Sequence, residues 1–315
     1  MVGPNIELSN GVLMPQFGLG TWQATKEEVK NAVHAALAKG YRLIDTAFVY
    51  SNEEAIGEAL QEAFAAGVVK REDLFITTKA WAAFFDPAKI EEHLKDSLRM
   101  LQLEYVDLYL FHMPGAFKDM ATQDHNLTVE QIWGGMETLY EKKLTRAVGV
   151  SNWSPSQIER VMKVAKVPIH NCQIELHLYW PQAELVQVCK KYNISVTSYA
   201  SLGSPGRVNF TLPSGLKLNW AECPNQLQEP FVLELAEKYK KTAAQVLLRA
   251  LIDRKIAIIP KSISEHRIQE NIDIFDFELT AEELTKLDQV PFRQRLFLQD
   301  FLIGHPEDPF KDERV

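Results

Sequence analysis

Eight times along this chain a short β-rich run gives way to a segment with helical spacing. The runs are "FGLG" (17–20), "RLIDT" (42–46), "LFITTK" (74–79), "VDLYLFH" (106–112), "AVGVS" (147–151), "HNCQIEL" (170–176), "ISVTSYA" (194–200) and "KIAIIPKS" (255–262). Between them lie apolar stripes such as Val29, Val33, Ala36 and Leu37, then Ile56, Leu60 and Phe64, then Ile90, Leu94, Leu98 and Leu101. Steps of three and four put each set on one helical face. Strands that restart after a helix run in the same direction, so this alternation demands a parallel sheet. A doubly wound open sheet is the rival to a closed barrel, but no G-x-G-x-x-G follows the first run. Eight units predict an α/β fold, a (β/α)8 TIM barrel forming a single domain over residues 1–315.

Local signals refine this outline. Asn10-Gly11 between two short apolar-alternating runs predicts an N-terminal β-hairpin with a two-residue type I′ turn. Helix starts are expected near Thr25, at Ser51 or Asn52, at Asp86 with Pro87 in the first helical position, after Ser154-Pro155 and after Trp180-Pro181. Further helices are expected near 129–142, 229–239, 242–252, 265–273 and 280–287, followed by a C-terminal tail. The polar stretch from 201 to 230 is long for a structureless connection, and such loops tend to be functional lids.

Bulk properties narrow the partners. A net charge of −8 disfavours nucleic acid, whose phosphates need a cationic face. Cys172, Cys189 and Cys223 are odd in number and show no C-x-x-C pairing, so neither a disulfide scaffold nor a metal site is expected. With no secretory signal and no apolar run of about 18 residues, the reading is a cytoplasmic protein with no membrane association.

In such a barrel, chemistry sits at the C-terminal ends of the strands. Asp45 ends the second run, Lys79 the third and His112 the fourth, with Tyr50 in the loop after the second. Ser151 and Asn152 follow the fifth, Gln173 lies within the sixth, Tyr199 is near the end of the seventh, and Lys261 and Ser262 end the eighth. A single strand-end Asp or His is more often a loop cap than a catalyst. Four titratable groups on three consecutive units point to a shared site. Asp45 and Lys79, on adjacent strands, can pair where either alone would be costly to bury. A lysine beside Tyr50 is expected to lower the phenol's pKa from about 10 by roughly two to three pH units. Tyr50 would then be a proton donor, and a neutral His112 could orient a carbonyl. Delivering a proton to oxygen beside an apolar cleft suits carbonyl reduction. The hydride must come from a cofactor, since no side chain supplies one.

At this point the chain resembles the aldo-keto reductase superfamily, and within it the aldose and aldehyde reductase group. The resemblance is carried in order by "MPQFGLGTWQ", "GYRLIDTAFVYSNEEAIGEAL", "LFITTKAW", "DLYLFHMP", "AVGVSNWS", "CQIELHLYW", "SYASLGSPGR", "IIPKSISEHRIQEN" and "FDFELT". It implies a catalytic tetrad of Asp45, Tyr50, Lys79 and His112, an NADPH/NADP⁺ cofactor bound without a Rossmann fold, and reduction of small aldehydes or ketones, sugars included. It also implies that Ser151, Asn152 and Gln173 hold the nicotinamide carboxamide, that Tyr199 stacks on the ring, and that Thr21 and Trp22 lie at the same end. Leu202 and Ser204 would touch the pyrophosphate. Lys261, Ser262, Ile263 and Arg267 would hold the 2′-phosphate, with Glu270 and Asn271 near the adenine. A monomer is expected, as is common in the family.

The phosphate assignment also has a physical basis, because a strand-end Lys261 and an Arg267 in the next helical turn suit a dianion. Trp22, Tyr50, Trp81, His112 and Met113 are the expected substrate walls. Met113 stands where the reductase group usually has tryptophan, exchanging a rigid wall for a flexible thioether. Ala200 and Ser201 also depart from the usual pattern. The tail residues Phe297, Leu298, Phe301 and Leu302 either border the substrate mouth or cover the barrel flank. A cofactor-binding sensor is the alternative of another class, though a pure binder has no use for all four tetrad groups. A phosphate-binding isomerase barrel would explain Lys261 and Arg267 but not Tyr50 with Lys79.

Overall fold

The computed structural model describes residues 3–210 and 220–314. A hairpin of β1 (Asn5–Glu7) and β2 (Leu13–Pro15) precedes eight parallel strands. These are β3 (Gly18–Gly20), β4 (Leu43–Asp45), β5 (Phe75–Ala80), β6 (Val106–Phe111), β7 (Thr145–Ser151), β8 (Asn171–Glu175), β9 (Ser195–Tyr199) and β10 (Ala257–Ile258). Each pairs with its sequence neighbour. Parallel bridges Phe17↔Ile258 and Gly20↔Lys261 join the first strand to the last, and the barrel closes. Closure needs Gly20, since a Cβ there would lie 2.5 Å from the Ile259 carbonyl oxygen.

The helices are α1 (Lys26–Ala38), α2 (Glu53–Ala65), α3 (Ile90–Leu101), α4 (Val129–Glu141), α5 (Pro155–Met162), α6 (Ala183–Lys191), α7 (Pro230–Tyr239), α8 (Ala243–Asp253), α9 (Glu265–Ile272) and α10 (Ala281–Asp288). Reciprocal capping boxes, Thr25 with Glu28 and Thr128 with Gln131 among them, start several of these helices by satisfying free backbone N–H groups. The apolar stripe Ile90, Leu94, Leu98 and Leu101 is buried on α3, as its spacing requires.

Strand alternation sorts side chains into two sets. Ile44, Ile76, Tyr109, Phe111, Val148, Val150, Cys172 and Ile174 pack in the large cluster shared with the helices. Leu43, Phe75, Leu108, Leu110, Ala147, Ala257 and Ile259 form a second cluster with Leu8 and Met14, so the hairpin plugs the bottom of the barrel. Asp45, Lys79, His112, Ser151, Gln173, Tyr199 and Lys261 share the parity of this inner set. An apolar plug below and a polar ring above follow from one alternation.

Three local expectations need correction. The hairpin loop spans Leu8 to Val12, and only Gly11 within it has positive φ (82°), so no type I′ turn forms. Gly11 N–H donates to Leu8 O and Leu8 N–H to Val12 O, the pattern of a turn closed by one left-handed glycine. Pro87 sits in a turn and α3 starts at Ile90, because the Asp86 carboxylate captures Ala88 N–H ahead of the helix. Asn52 is the residue before α2 but its side chain does not cap it. It donates instead to Thr21 O (2.9 Å) and Ala24 O and accepts from Thr46 Oγ1.

Candidate active site

The upper rim of the barrel gathers the polar strand ends into one buried cluster. Lys79 Nζ lies 2.5 Å from Asp45 Oδ1 and donates to Thr46 O at 2.9 Å. Both side chains are almost fully buried. Gln173 Nε2 donates to the other carboxylate oxygen at 2.7 Å, and Thr21 Oγ1 to Asp45 O at 2.9 Å. Tyr50 closes a short helical turn, Phe48–Tyr50, and Asn52 staples that turn to the loop after β3. The Lys79 ammonium is 5.1 Å from the Tyr50 ring centre, and the His112 ring is 5.7 Å from it, edge to face. Sequence neighbours from three strands and one loop thus meet around a single ammonium.

Charge balance corrects one expectation. Burial raises the Tyr50 pKa above its ordinary value, and Lys79 offsets this only in part. Asp45 opposes the lysine by raising the phenol further. Burial disfavours charge on Lys79, but Asp45 and Tyr50 together hold its proton above the usual range. Burial, then the adjacent ammonium, pushes His112 well below 6.5, so the imidazole is neutral. Tyr50 is therefore a protonated phenol at neutral pH rather than one poised to ionise.

Beside this cluster Asn152 adopts a left-handed turn (φ 63°), a conformation asparagine tolerates, and its amide returns to donate to His112 O at 2.9 Å. The Tyr199 hydroxyl donates to Asn152 Oδ1 at 2.6 Å, and Asn152 Nδ2 to Ser151 Oγ at 3.1 Å. Ser151, Asn152 and Tyr199 are thus already linked to one another, and Gln173 to Asp45. Trp81 lies edge-on to His112 at 5.7 Å and contacts Phe301 at 5.9 Å. Met113, one step past His112, takes the opposite parity and is buried in the outer cluster at 1% exposure. It does not form an open pocket wall. The tail divides its hydrophobes: Phe297 contacts Trp22 and Tyr199, while Leu302 is buried in the outer cluster against the flank.

At the start of α9, Lys261, Ile263 and Arg267 are exposed, and Ser262 is buried with its hydroxyl bonded to Ser264. Among the described residues Lys261 and Arg267 have no ion-pair partner; Glu28 acts on Lys261 only at a distance. Two uncompensated cations at a helix start suit a phosphate. Asn271 is buried nearby, whereas Glu270 is already engaged by Thr242 Oγ1 at 2.9 Å. Leu202 and Ser204 are half-buried on the loop after β9, Ser204 in the left-handed region. The middle of the expected lid, 211–219, lies outside the described residues. Sequence reasoning missed Glu175, a buried carboxylate ending β8, although it carries the same signal as Asp45, a charged residue closing an apolar strand.

The model of the aldo/keto reductase family matches residues 14–291. The chain belongs to this family. It is 40% identical to aldo-keto reductase family 1 member A1 of Gallus gallus, over 98% of this chain and 97% of that one. It is 36% identical to aldo-keto reductase family 1 member C4 of Homo sapiens, over 98% of each. Among solved structures, the aldose reductase of Schistosoma japonicum matches with a TM-score of 0.89 at 38% identity, covering 98% of this chain and 99% of that one. A Bombyx mori aldo-keto reductase in complex with NADP matches with a TM-score of 0.88 at 36% identity, covering 98% and 99%. This aldo/keto reductase is an NADP(H)-dependent oxidoreductase of small carbonyl compounds. No described helix is long and apolar enough to cross a membrane.

Proposed function

We propose that this aldo/keto reductase reduces aldehydes and ketones to alcohols with Tyr50 as the proton donor. The observation that carries the reading is the buried Asp45–Lys79 pair placed beside Tyr50 and a neutral His112. NADPH, when bound, would supply the hydride that the carbonyl carbon needs. Tyr50 hands its proton to the carbonyl oxygen, and the Lys79 ammonium stabilises the phenolate left behind. Asp45 keeps Lys79 charged and fixes it. His112 donates a hydrogen bond that orients the carbonyl. Because Tyr50 holds its proton at neutral pH, the donor is loaded before substrate arrives.

Ser151, Asn152, Gln173, Tyr199, Thr21 and Trp22 form the nicotinamide end. Leu202 and Ser204 border the pyrophosphate. Lys261, Ser262, Ile263 and Arg267 hold the 2′-phosphate, with Asn271 and Glu270 toward the adenine. The uncompensated charges of Lys261 and Arg267 support this end. Trp22, Tyr50, Trp81 and His112 line the substrate. We further propose a single barrel domain acting as a cytoplasmic monomer, supported by three unpaired cysteines and a net charge of −8.

The test follows NADPH absorbance with aldehydes, ketones and sugars for the wild type and Tyr50→Phe. The variant should lose about 10²- to 10⁴-fold in kcat while still binding NADPH. Turnover within tenfold of wild type would remove Tyr50 from its role.

A further inference from the structure

Glu175 lies two residues beyond Gln173 on β8, on the inward parity, and has no part in the proposed reaction. Its side chain is fully buried. Oε1 accepts Leu296 N–H at 2.6 Å and Oε2 accepts Phe297 N–H at 2.9 Å. His177 Nε2 lies 2.9 Å from Oε1, and the Arg295 guanidinium is 4.0 Å from Oε2. A buried carboxylate needs such donors, but two are backbone amides more than a hundred residues downstream. A strand end of the barrel therefore grips the C-terminal tail by its main chain.

The grip falls at the residue whose side chain meets the site. Phe297 lies edge to face with Tyr199 at 5.5 Å, Trp22 at 5.7 Å and Trp220 at 5.3 Å. Trp22 and Tyr199 are the proposed nicotinamide neighbours. The flanking arginines add no free charge. Arg295 pairs with Glu313 and lies over the Phe310 and Trp180 rings, and Arg314 pairs with Asp308 and holds the Leu298 and Gln299 carbonyls.

We infer that Glu175 is a positioning residue: by holding the Leu296 and Phe297 amides it fixes the Phe297 ring as a wall of the substrate mouth. A fixed ring among three others selects carbonyl compounds bearing a flat, uncharged apolar group over small polar ones. This rests on the reductase reading above. With the tail released, Phe297 leaves the mouth and that preference fades, while the proton donor stays in place.

The experiment compares wild type, Glu175→Gln, Phe297→Ala and the double variant, each with saturating NADPH, using benzaldehyde and propanal. Thermal unfolding is measured alongside. In each single variant the KM for benzaldehyde should rise about tenfold more than that for propanal, and kcat should move by less than about threefold. The double variant should be no more impaired than the worse single, because both act through one ring. An unchanged KM ratio in Phe297→Ala overturns the inference, and so do fully additive effects. A Glu175→Gln protein that unfolds earlier and loses kcat on both aldehydes equally marks a purely structural residue and also overturns it. Should Glu175→Gln not fold, Phe297→Ala and Phe297→Leu carry the test. Failure of the wild type to turn over either aldehyde would instead sink the reductase reading itself.

Discussion

Lys79→Met removes the one ammonium around which the site is built. Among the described residues, the Asp45 carboxylate, 3% exposed and 2.5 Å from that ammonium, would keep only the Gln173 amide as a hydrogen-bond partner. Breaking a buried pair by deleting one partner costs about 3–5 kcal/mol, since the other charge is left stranded. That is a large share of the roughly 5–15 kcal/mol by which domains are stable, so urea unfolding should register it plainly. Removing both charges in Lys79→Met/Asp45→Asn leaves no stranded carboxylate and should recover about 2 kcal/mol or more. Turnover should behave differently. Tyr50 loses the ammonium that draws its pKa down, and its phenolate loses the stabilising charge, so kcat should fall about 10²- to 10⁴-fold in single and double variants alike. Stability returning without activity is the expected signature. A single variant within about 1 kcal/mol of wild type, or a double variant that regains turnover, would refute the coupling of Lys79 to both partners.

Three further outcomes follow from the geometry. Lys261→Met with Arg267→Ala should weaken NADPH binding about a hundredfold or more, by loss of two charge-assisted contacts, and NADH binding much less; equal losses in a fluorescence titration would remove the phosphate role. His93 and His170 are buried and held neutral, each lowered from 6.5 to about 4 by burial. A depressed pKa means stability that is present above pH 6.5 and lost as pH falls toward 4, about 2 kcal/mol per histidine by pH 5. Urea midpoints that stay flat from pH 7 to 5 would contradict this. Gly20→Ala places a methyl 2.5 Å from Ile259 O at the seam of the barrel and should cost about 1–3 kcal/mol, whereas unfolding at wild-type denaturant would mean that the seam yields freely.

Much of the site was legible because a barrel turns sequence alternation into geometry. Once Leu43 and Asp45, Phe75 and Lys79, and Leu108 and His112 are placed on strands, parity alone puts the apolar member in the plug and the polar member on the rim. The same parity corrects Met113, whose place next to His112 in sequence sends it to the opposite side of the sheet. The hairpin turn and the start of α3 were less legible, since each was decided by one local hydrogen-bond choice, at Gly11 and at Asp86.

By itself the chain of letters determined the barrel, its strand ends and the four groups that meet there, because side-chain periodicity is a property of the backbone and needs no knowledge of distant contacts. Only the tertiary structure decided which way Tyr50's acidity moves, since burial and the opposing charge of Asp45 depend on distances across three strands. It also decided that Glu175 holds the tail at Phe297. No spacing could announce that pairing, because the two segments are brought together by the closure of the barrel between them.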